Sequence, residues 1–111
     1  MKDVQIISFG YLHGAPPEAH ITLDLREHFR DPHVSPELRY LTAEDQAVRD
    51  AVLGTTGVGL LVDATVQAVN AFLFGPSGST VRVAVGCAGG RHRAATVAGE
   101  LADRLTGGGD H

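Results

Sequence analysis

Cysteine is almost absent from this chain, because Cys87 is the single example among 111 residues. One cysteine cannot close an internal disulfide, so we expect a free thiol or an intermolecular bond, and a reducing cytoplasm as the compartment. The sequence also opens without a basic segment followed by an apolar run, so we expect no signal peptide. The apolar stretch at residues 58–74 carries Asp63, Gln67 and Asn70 and is short for a bilayer span, which predicts a buried amphipathic helix and no membrane attachment.

A surplus of positive charge is missing as well. The chain has 9 Lys and Arg residues against 13 Asp and Glu, a formal net charge of −4. This balance argues against a strong non-specific binder of polyanions, although a local basic patch can coexist with it.

Two further signatures are lacking. No Gly-x-x-x-x-Gly-Lys-Ser/Thr segment occurs, and residues 75–80 do not form one, so we expect no ATP hydrolysis. His28 and His33 have no cysteine or tight pair of further ligands beside them, so we expect no metal site. Nothing in the sequence implies a cofactor.

What is present fits one small domain over residues 1–111, with an ordered core at about 4–106 and a glycine-rich tail at 107–111. Apolar runs and helical periodicity predict alternating strands and helices. The predicted strands lie at 4–9, 21–25 and 81–85, and the predicted helices lie at 43–53, 58–73 and 92–105. This order implies an α/β domain with a mainly parallel sheet flanked by helices, and a ligand cleft at the carboxyl ends of the strands.

Two details of the helices are predicted from residue type. Thr42 fits the N-cap of the first helix, with Glu44 and Asp45 in its first turn. On the second helix the predicted apolar face is formed by Leu61, Thr65, Ala68 and Phe72. That face belongs to the core or, in part, to a contact between subunits. A homo-oligomer is therefore one of the alternatives.

The segment from Gly86 to Arg93 carries the main functional signal. A glycine-rich turn between a strand and a helix leaves successive backbone N–H groups free to point at one spot, and the helix dipole favours an anion there. Three donor or cationic side chains surround that spot. The candidate ligand-binding residues are therefore Cys87, Ala88, Gly89, Gly90, Arg91, His92 and Arg93. The alternative is purely structural, with Gly89 and Gly90 making a tight turn and Cys87 in the core.

The same segment also fits the phosphate loop of cysteine-dependent phosphatases, through Cys87-x-x-Gly-x-x-Arg93. In that chemistry a thiolate attacks phosphorus, and Asp31 or Asp24 is a candidate general acid. Gly86 stands where those enzymes usually carry His, and Ala94 stands where they carry a hydroxyl that assists the thiolate. An anion-binding site without turnover therefore remains the favoured interpretation, and catalytic residues are not assigned.

Two other loops are expected at the same edge of the sheet. In the first, Tyr11 and His13 offer a hydroxyl and an imidazole to a sugar, or simply pack within the loop. In the second, Arg26 and Arg39 either pair with neighbouring carboxylates or donate two parallel hydrogen bonds to a bound phosphate. The long irregular segment between these arginines is rich in Arg and His, which favours a functional loop.

Several motifs together resemble one known family, the C-terminal domain of the RNase adapter protein RapZ (the YvcJ-type nucleotide-binding family). They are Ser8-Phe9-Gly10-Tyr11, Asp24-Leu25-Arg26, Asp31-Pro32-His33, the segment 36–42 and the segment 86–93. The resemblance implies a bacterial domain, shaped like a sugar-phosphate kinase lobe, that senses glucosamine-6-phosphate and has a regulatory adaptor role. It also implies ligand contacts at His33, Ala88, Gly89, His92 and Arg93, and a partner that is a phosphorylated amino sugar, RNA or another protein.

Three departures from that family pattern matter. The family's N-terminal ATPase domain has no counterpart here, so we expect a stand-alone homologue. Ala88 stands where the family often has Thr, and Ala94 where it often has Ser, which removes hydroxyls from the turn. The basic tail of the RNA-binding members is replaced by a glycine-rich end, which weakens the RNA-binding alternative.

Overall fold

The sheet is built from three parallel strands. The computed structural model describes residues 3–30, 38 and 40–107, so the predictions made for Asp31, His33 and Arg39 lie outside the described residues. The strands are β1 (Val4–Gly10), β2 (Ile21–Asp24) and β3 (Val81–Cys87), in the spatial order β1-β3-β2. Their carboxyl ends therefore meet at one edge, and the predicted α/β class with a parallel sheet flanked by helices is confirmed.

Three helices cover one face of this sheet. They are α1 (Gln46–Leu53), α2 (Val58–Phe74) and α3 (Arg93–Ala102), and a π-helical turn, Asp103–Gly107, continues α3. Helix α3 packs directly on β1 and β3, and both α1 and α2 pack against α3. Because α1 and α2 pack against α3, and α2 also contacts β3, the three helices form one layer beside the sheet.

The strand register sorts the β3 side chains between the two faces. Val81, Val83, Val85 and Cys87 alternate towards the helices and are at most 3 % exposed. The register pairs Val81 of β3 with Val4 of β1 and Val83 with Ile21 of β2, so the apolar residues of all three strands join one core. At the end of this series Cys87 is buried directly beneath the edge where the strands stop.

The first helix begins later than the sequence predicts. It starts at Gln46 with Asp45 at the N-cap position, so the prediction of Thr42 as N-cap is wrong. The Asp45 carboxylate turns back and accepts the N–H of Thr42 at 2.9 Å, while the Thr42 hydroxyl accepts the N–H of Glu44 at 3.3 Å. These bonds close a separate turn before the helix, which uses the side chains that would otherwise cap it.

The buried face of α2 also differs from the prediction. The structure buries Val58, Val62, Thr65 and Val69, whereas the sequence pattern predicts Leu61, Thr65, Ala68 and Phe72. Phe72 is 44 % exposed. Because α2 is apolar nearly all round, its periodicity does not choose a face, and packing against α3 and β3 does so instead.

Within the described residues, no single helix is long and apolar enough to cross a membrane. Helices α1 and α2 pass such a test as a pair by length and composition alone, and their axes bend by 83° at the break between them.

Candidate functional site

The turn between β3 and α3 lies directly against the end of β1. Gly90 has a φ of 83°, and a Cβ there would lie 2.9 Å from the backbone nitrogen of Gly10. A Cβ on Gly10 would in turn lie 2.7 Å from the carbonyl of Gly89. The N–H of Leu12 donates to the Ala88 carbonyl at 3.0 Å. Glycine is therefore required at both contact positions, and the turn is held by backbone rather than by side chains.

The N–H groups of this turn point inwards at Cys87. The backbone N–H of Gly90 lies 3.2 Å from Cys87 Sγ, and that of Ala94, in the first turn of α3, lies 3.4 Å from it. Sulfur is a weak acceptor, so neither donor is strongly satisfied. The N–H groups of Ala88 and Gly89 have no acceptor in the part of the chain that the structure describes. The turn thus gathers the Gly90 and Ala94 backbone donors around Cys87 Sγ at a helix N-terminus.

Two side chains of the turn are engaged with the chain that follows β2. Arg93 Nη1 donates to the carbonyl of Leu25 at 2.6 Å. His92 Nε2 is bonded to the carbonyl of Leu41, and since a carbonyl oxygen only accepts, the proton lies on Nε2. Leu25 is itself fixed, because its N–H donates to Gly86 at 2.8 Å. Arg93 and His92 therefore lie beside the turn and are held there by neutral carbonyl acceptors.

Arg91 lies on the side of the turn that faces the segment before α1. It is exposed, and together with Thr42, Ala43, Glu44 and Ala95 it lines an open depression of about 320 Å³. The depression therefore connects the turn with the segment before α1.

Tyr11 and Arg26 form a stacked cluster at the same edge, on the face of the sheet opposite the helices. The Arg26 guanidinium lies 3.5 Å from the centre of the Tyr11 ring, and Tyr11 packs edge-on against Phe9 at 4.8 Å between ring centres. A Cβ on Gly86 would lie 2.7 Å from the Tyr11 ring. The aromatic rings therefore explain why the position before Cys87 is glycine.

Asp24 holds Arg26 in that orientation. Its carboxylate accepts from Arg26 Nε at 2.9 Å, from Nη2 at 2.7 Å and from the backbone N–H at 3.0 Å. These bonds, the guanidinium first, lower the pKa of Asp24 from 3.8 to about 2. Of the two roles considered for Arg26, the structure shows the ion pair with a neighbouring carboxylate.

Most of the predicted site residues lie at the carboxyl edge of the sheet. The structure brings together residues 87–93, Tyr11 and Arg26 at the carboxyl edge, and the exposed His13 ring lies against Gly10 beside the turn. Asp31, His33 and Arg39 lie outside the described residues. Within the described residues, no group of three or more His, Cys, Asp or Glu side chains is arranged to hold a metal ion.

Sequence reasoning missed the carbonyls of Leu25 and Leu41 and the aromatic contact of Phe9. The carbonyls carry no signal in residue type, because every residue has one. The strand alternation rule gave no signal for the aromatic pair, because Tyr11 lies in a 3-10 turn beyond the end of β1.

Fold and site together define a small α/β domain with a donor-lined glycine turn at the carboxyl edge of a parallel sheet. Residues 2–110 match the family model of the RapZ C-terminal domain, and the chain belongs to that family. A protein of Thermobifida fusca named a nucleotide-binding protein is 39% identical over 103 residues, covering 90% of this chain and 35% of the relative. One of Rubrobacter xylanophilus, named likewise, is 41% identical over 108 residues, covering 95% of this chain and 35% of the relative.

These matches confirm the family resemblance found in the motifs. The chain spans about a third of the length of the curated relatives that it matches, 35% in both cases given.

The contact between the turn and β1 predicts the effect of adding one methyl group. We expect Gly90→Ala to destabilise the protein by about 1–3 kcal/mol, because alanine is strained at a φ of 83° and its Cβ would meet the Gly10 backbone. Gly99→Ala is the matched control, because Gly99 is exposed on α3 with nothing within 4 Å of its Cβ position. There we expect a gain of up to about 1 kcal/mol. Urea unfolding measures both, and equal effects would contradict the close approach.

Proposed function

We propose that this domain binds the phosphate group of a small phosphorylated ligand in the turn from Cys87 to Arg93. The observation that carries the proposal is the convergence of the Gly90 and Ala94 N–H groups on Cys87 Sγ. Donors aimed at one point, at the N-terminus of a helix, form a site that suits an oxyanion. The proposed phosphate oxygens lie over the sulfur and accept these N–H groups together with those of Ala88 and Gly89.

The side chains of the turn suit the same ligand. Arg93 donates through Nη1 to a neutral carbonyl, that of Leu25, and its guanidinium has further donors. Hydrogen bonds from a guanidinium to phosphate are about twice as strong as those between neutral groups. A phosphate in the turn would therefore compete well for Arg93, and His92 would add a second donor by exchanging the Leu41 carbonyl for a phosphate oxygen.

Family membership supports a ligand class and a role. We propose a phosphorylated amino sugar of the glucosamine-6-phosphate type, sensed by a domain with a regulatory adaptor role. Residues that contribute hydroxyls to the turn elsewhere in the family are alanines here, so backbone N–H groups carry a larger share of the binding. An RNA-binding adaptor role, using the arginines of the same edge, remains a prediction from the sequence.

Calorimetric titration and thermal unfolding with inorganic phosphate, glucosamine-6-phosphate and glucosamine test the proposal. We expect both phosphates to bind and unphosphorylated glucosamine not to bind. At a free ligand concentration of 100 times Kd, the ligand would stabilise the fold by about 2.7 kcal/mol.

Arg93→Ala should weaken phosphate binding about tenfold or more, because one charge-assisted hydrogen bond is lost. Arg104→Ala is the control, because Arg104 lies beyond the far end of α3 and pairs with Asp63 and Glu100. Absence of binding at millimolar phosphate, or equal binding by both variants, would contradict the site.

A second candidate function, cysteine-dependent phosphoryl transfer, is favoured by one observation. The N–H groups that reach Cys87 Sγ are the donors that a reactive thiolate needs. Against it, Ala94 supplies no hydroxyl and the aromatic rings exclude any side chain at position 86.

Hydrolysis of an aryl phosphate by the wild type and Cys87→Ser separates the two functions. Binding without hydrolysis in the wild type, retained in the variant, is the result we expect. Hydrolysis that disappears in Cys87→Ser would establish the second candidate, whereas hydrolysis that survives the change would exclude this thiol as the nucleophile.

A further inference from the structure

The open depression beside the glycine turn carries charges of both signs. Its lining combines Arg91 and Ala95, from the turn and from α3, with residues 42–44 from the segment before α1. Among these lining residues Glu44 is the one acidic group and Arg91 the one basic group. The depression measures about 320 Å³, at the small end of the range of about 300–1,000 Å³ for ligand sites, so it has room for a single small ring.

The depression adjoins the proposed phosphate site through two links. Ala94, whose N–H is one of the donors of the turn, is followed by Ala95 in the lining of the depression. His92 of the turn bonds to the carbonyl of Leu41, and the next residue, Thr42, also lines the depression. A ligand whose phosphate lies in the turn can therefore extend its remaining atoms towards the segment before α1.

The backbone of Glu44 is held on both sides. Its N–H donates to the hydroxyl of Thr42 at 3.3 Å, and its carbonyl accepts from Arg49 Nη1 at 2.6 Å. The Glu44 side chain therefore extends from a fixed point, and little backbone entropy is lost when its carboxylate engages a ligand.

The neighbouring polar groups leave the Glu44 carboxylate unused. The Asp45 carboxylate accepts the N–H of Thr42 at 2.9 Å. The guanidinium of Arg49 donates to two backbone carbonyls and to the side chain of Gln46. Within the described residues, no ion pair or hydrogen bond engages the carboxylate of Glu44. An unpaired carboxylate at the wall of a depression suits a cationic hydrogen-bond donor.

We propose that Glu44 binds the ammonium group of the ligand and thereby selects an amino sugar phosphate over the corresponding sugar phosphate that carries a hydroxyl. This inference rests on the proposed function and adds to it the residue that recognises the amine. A hydroxyl at the same position would still donate a hydrogen bond to the carboxylate, but a weaker one, because it lacks the charge. Arg91 repels an ammonium group and so favours its placement at Glu44.

The experiment compares ligands that differ at one substituent. Calorimetric titration is carried out with glucosamine 6-phosphate, glucose 6-phosphate and inorganic phosphate. On the wild type we expect glucosamine 6-phosphate to bind about fivefold more tightly than glucose 6-phosphate, the upper end for an ion pair open to solvent. Raising the pH until the amine of the ligand is neutral should remove this preference, because only the ammonium form carries the charge.

Two variants assign the preference to one carboxylate. Glu44→Gln keeps the size of the side chain and removes its charge, so the two sugar phosphates should bind equally while inorganic phosphate binds as in the wild type. Glu18→Gln is the matched control. It removes the same charge from another exposed glutamate, which precedes the amino end of β2 and so lies away from the turn. The preference of about fivefold should persist there.

The outcomes separate this inference from the proposed function. Equal binding of the two sugar phosphates by the wild type, or a preference that survives Glu44→Gln, would overturn the role of Glu44 and leave the phosphate site standing. Loss of inorganic phosphate binding in Glu44→Gln would also overturn it, because the residue would then support the turn rather than recognise the amine. Absence of binding by every ligand on the wild type, inorganic phosphate included, would overturn both.

Discussion

The close approach of the glycine turn to the end of β1 is the constraint on which the site depends. Gly10 and Gly90 meet backbone to backbone, with 2.9 Å between the Gly10 nitrogen and the place where a Gly90 Cβ would stand. This contact fixes the path of the chain between β3 and α3. As a result the N–H groups of Gly90 and Ala94 converge on Cys87 Sγ.

Residues on both sides of the sheet contact the turn. On the helix side of the sheet, Arg93 and His92 bond to the carbonyls of Leu25 and Leu41, at the two ends of the segment between β2 and α1. On the opposite side, Tyr11 and Arg26 stack over Gly86. The turn therefore lies at the meeting point of all three strand ends, which is where ligands bind in open parallel sheets.

The sequence predicts the strands and the turn well because their signals are local. The run Val81–Val85 before Gly86 identifies a buried strand, and the glycines after it identify the turn. The start of α1 and the buried face of α2 were predicted wrongly for physical reasons. Asp45 uses its carboxylate in a turn before the helix, and α2 is apolar on nearly every side, so only tertiary packing selects Val62 over Leu61.

The contacts that shape the candidate site were harder to predict. Arg93 bonds to a backbone carbonyl 68 positions earlier in the chain, and no residue type signals such an acceptor. For Arg26, by contrast, the nearby Asp24 was a sufficient signal for the ion pair, although not for the stacking on Tyr11. Family membership, carried by motifs spread along the chain, identified the domain but did not supply these contacts.

The most direct measurement of the central claim is a series of 1H–15N correlation spectra recorded during titration with inorganic phosphate. A phosphate held by the backbone of the turn should move the amide resonances of Gly89, Gly90 and Ala94 most strongly, in proportion to saturation. The amide of Gly99, on the same helix but away from the turn, should stay in place. Shifts absent from the turn, or concentrated elsewhere on the protein, would contradict the account.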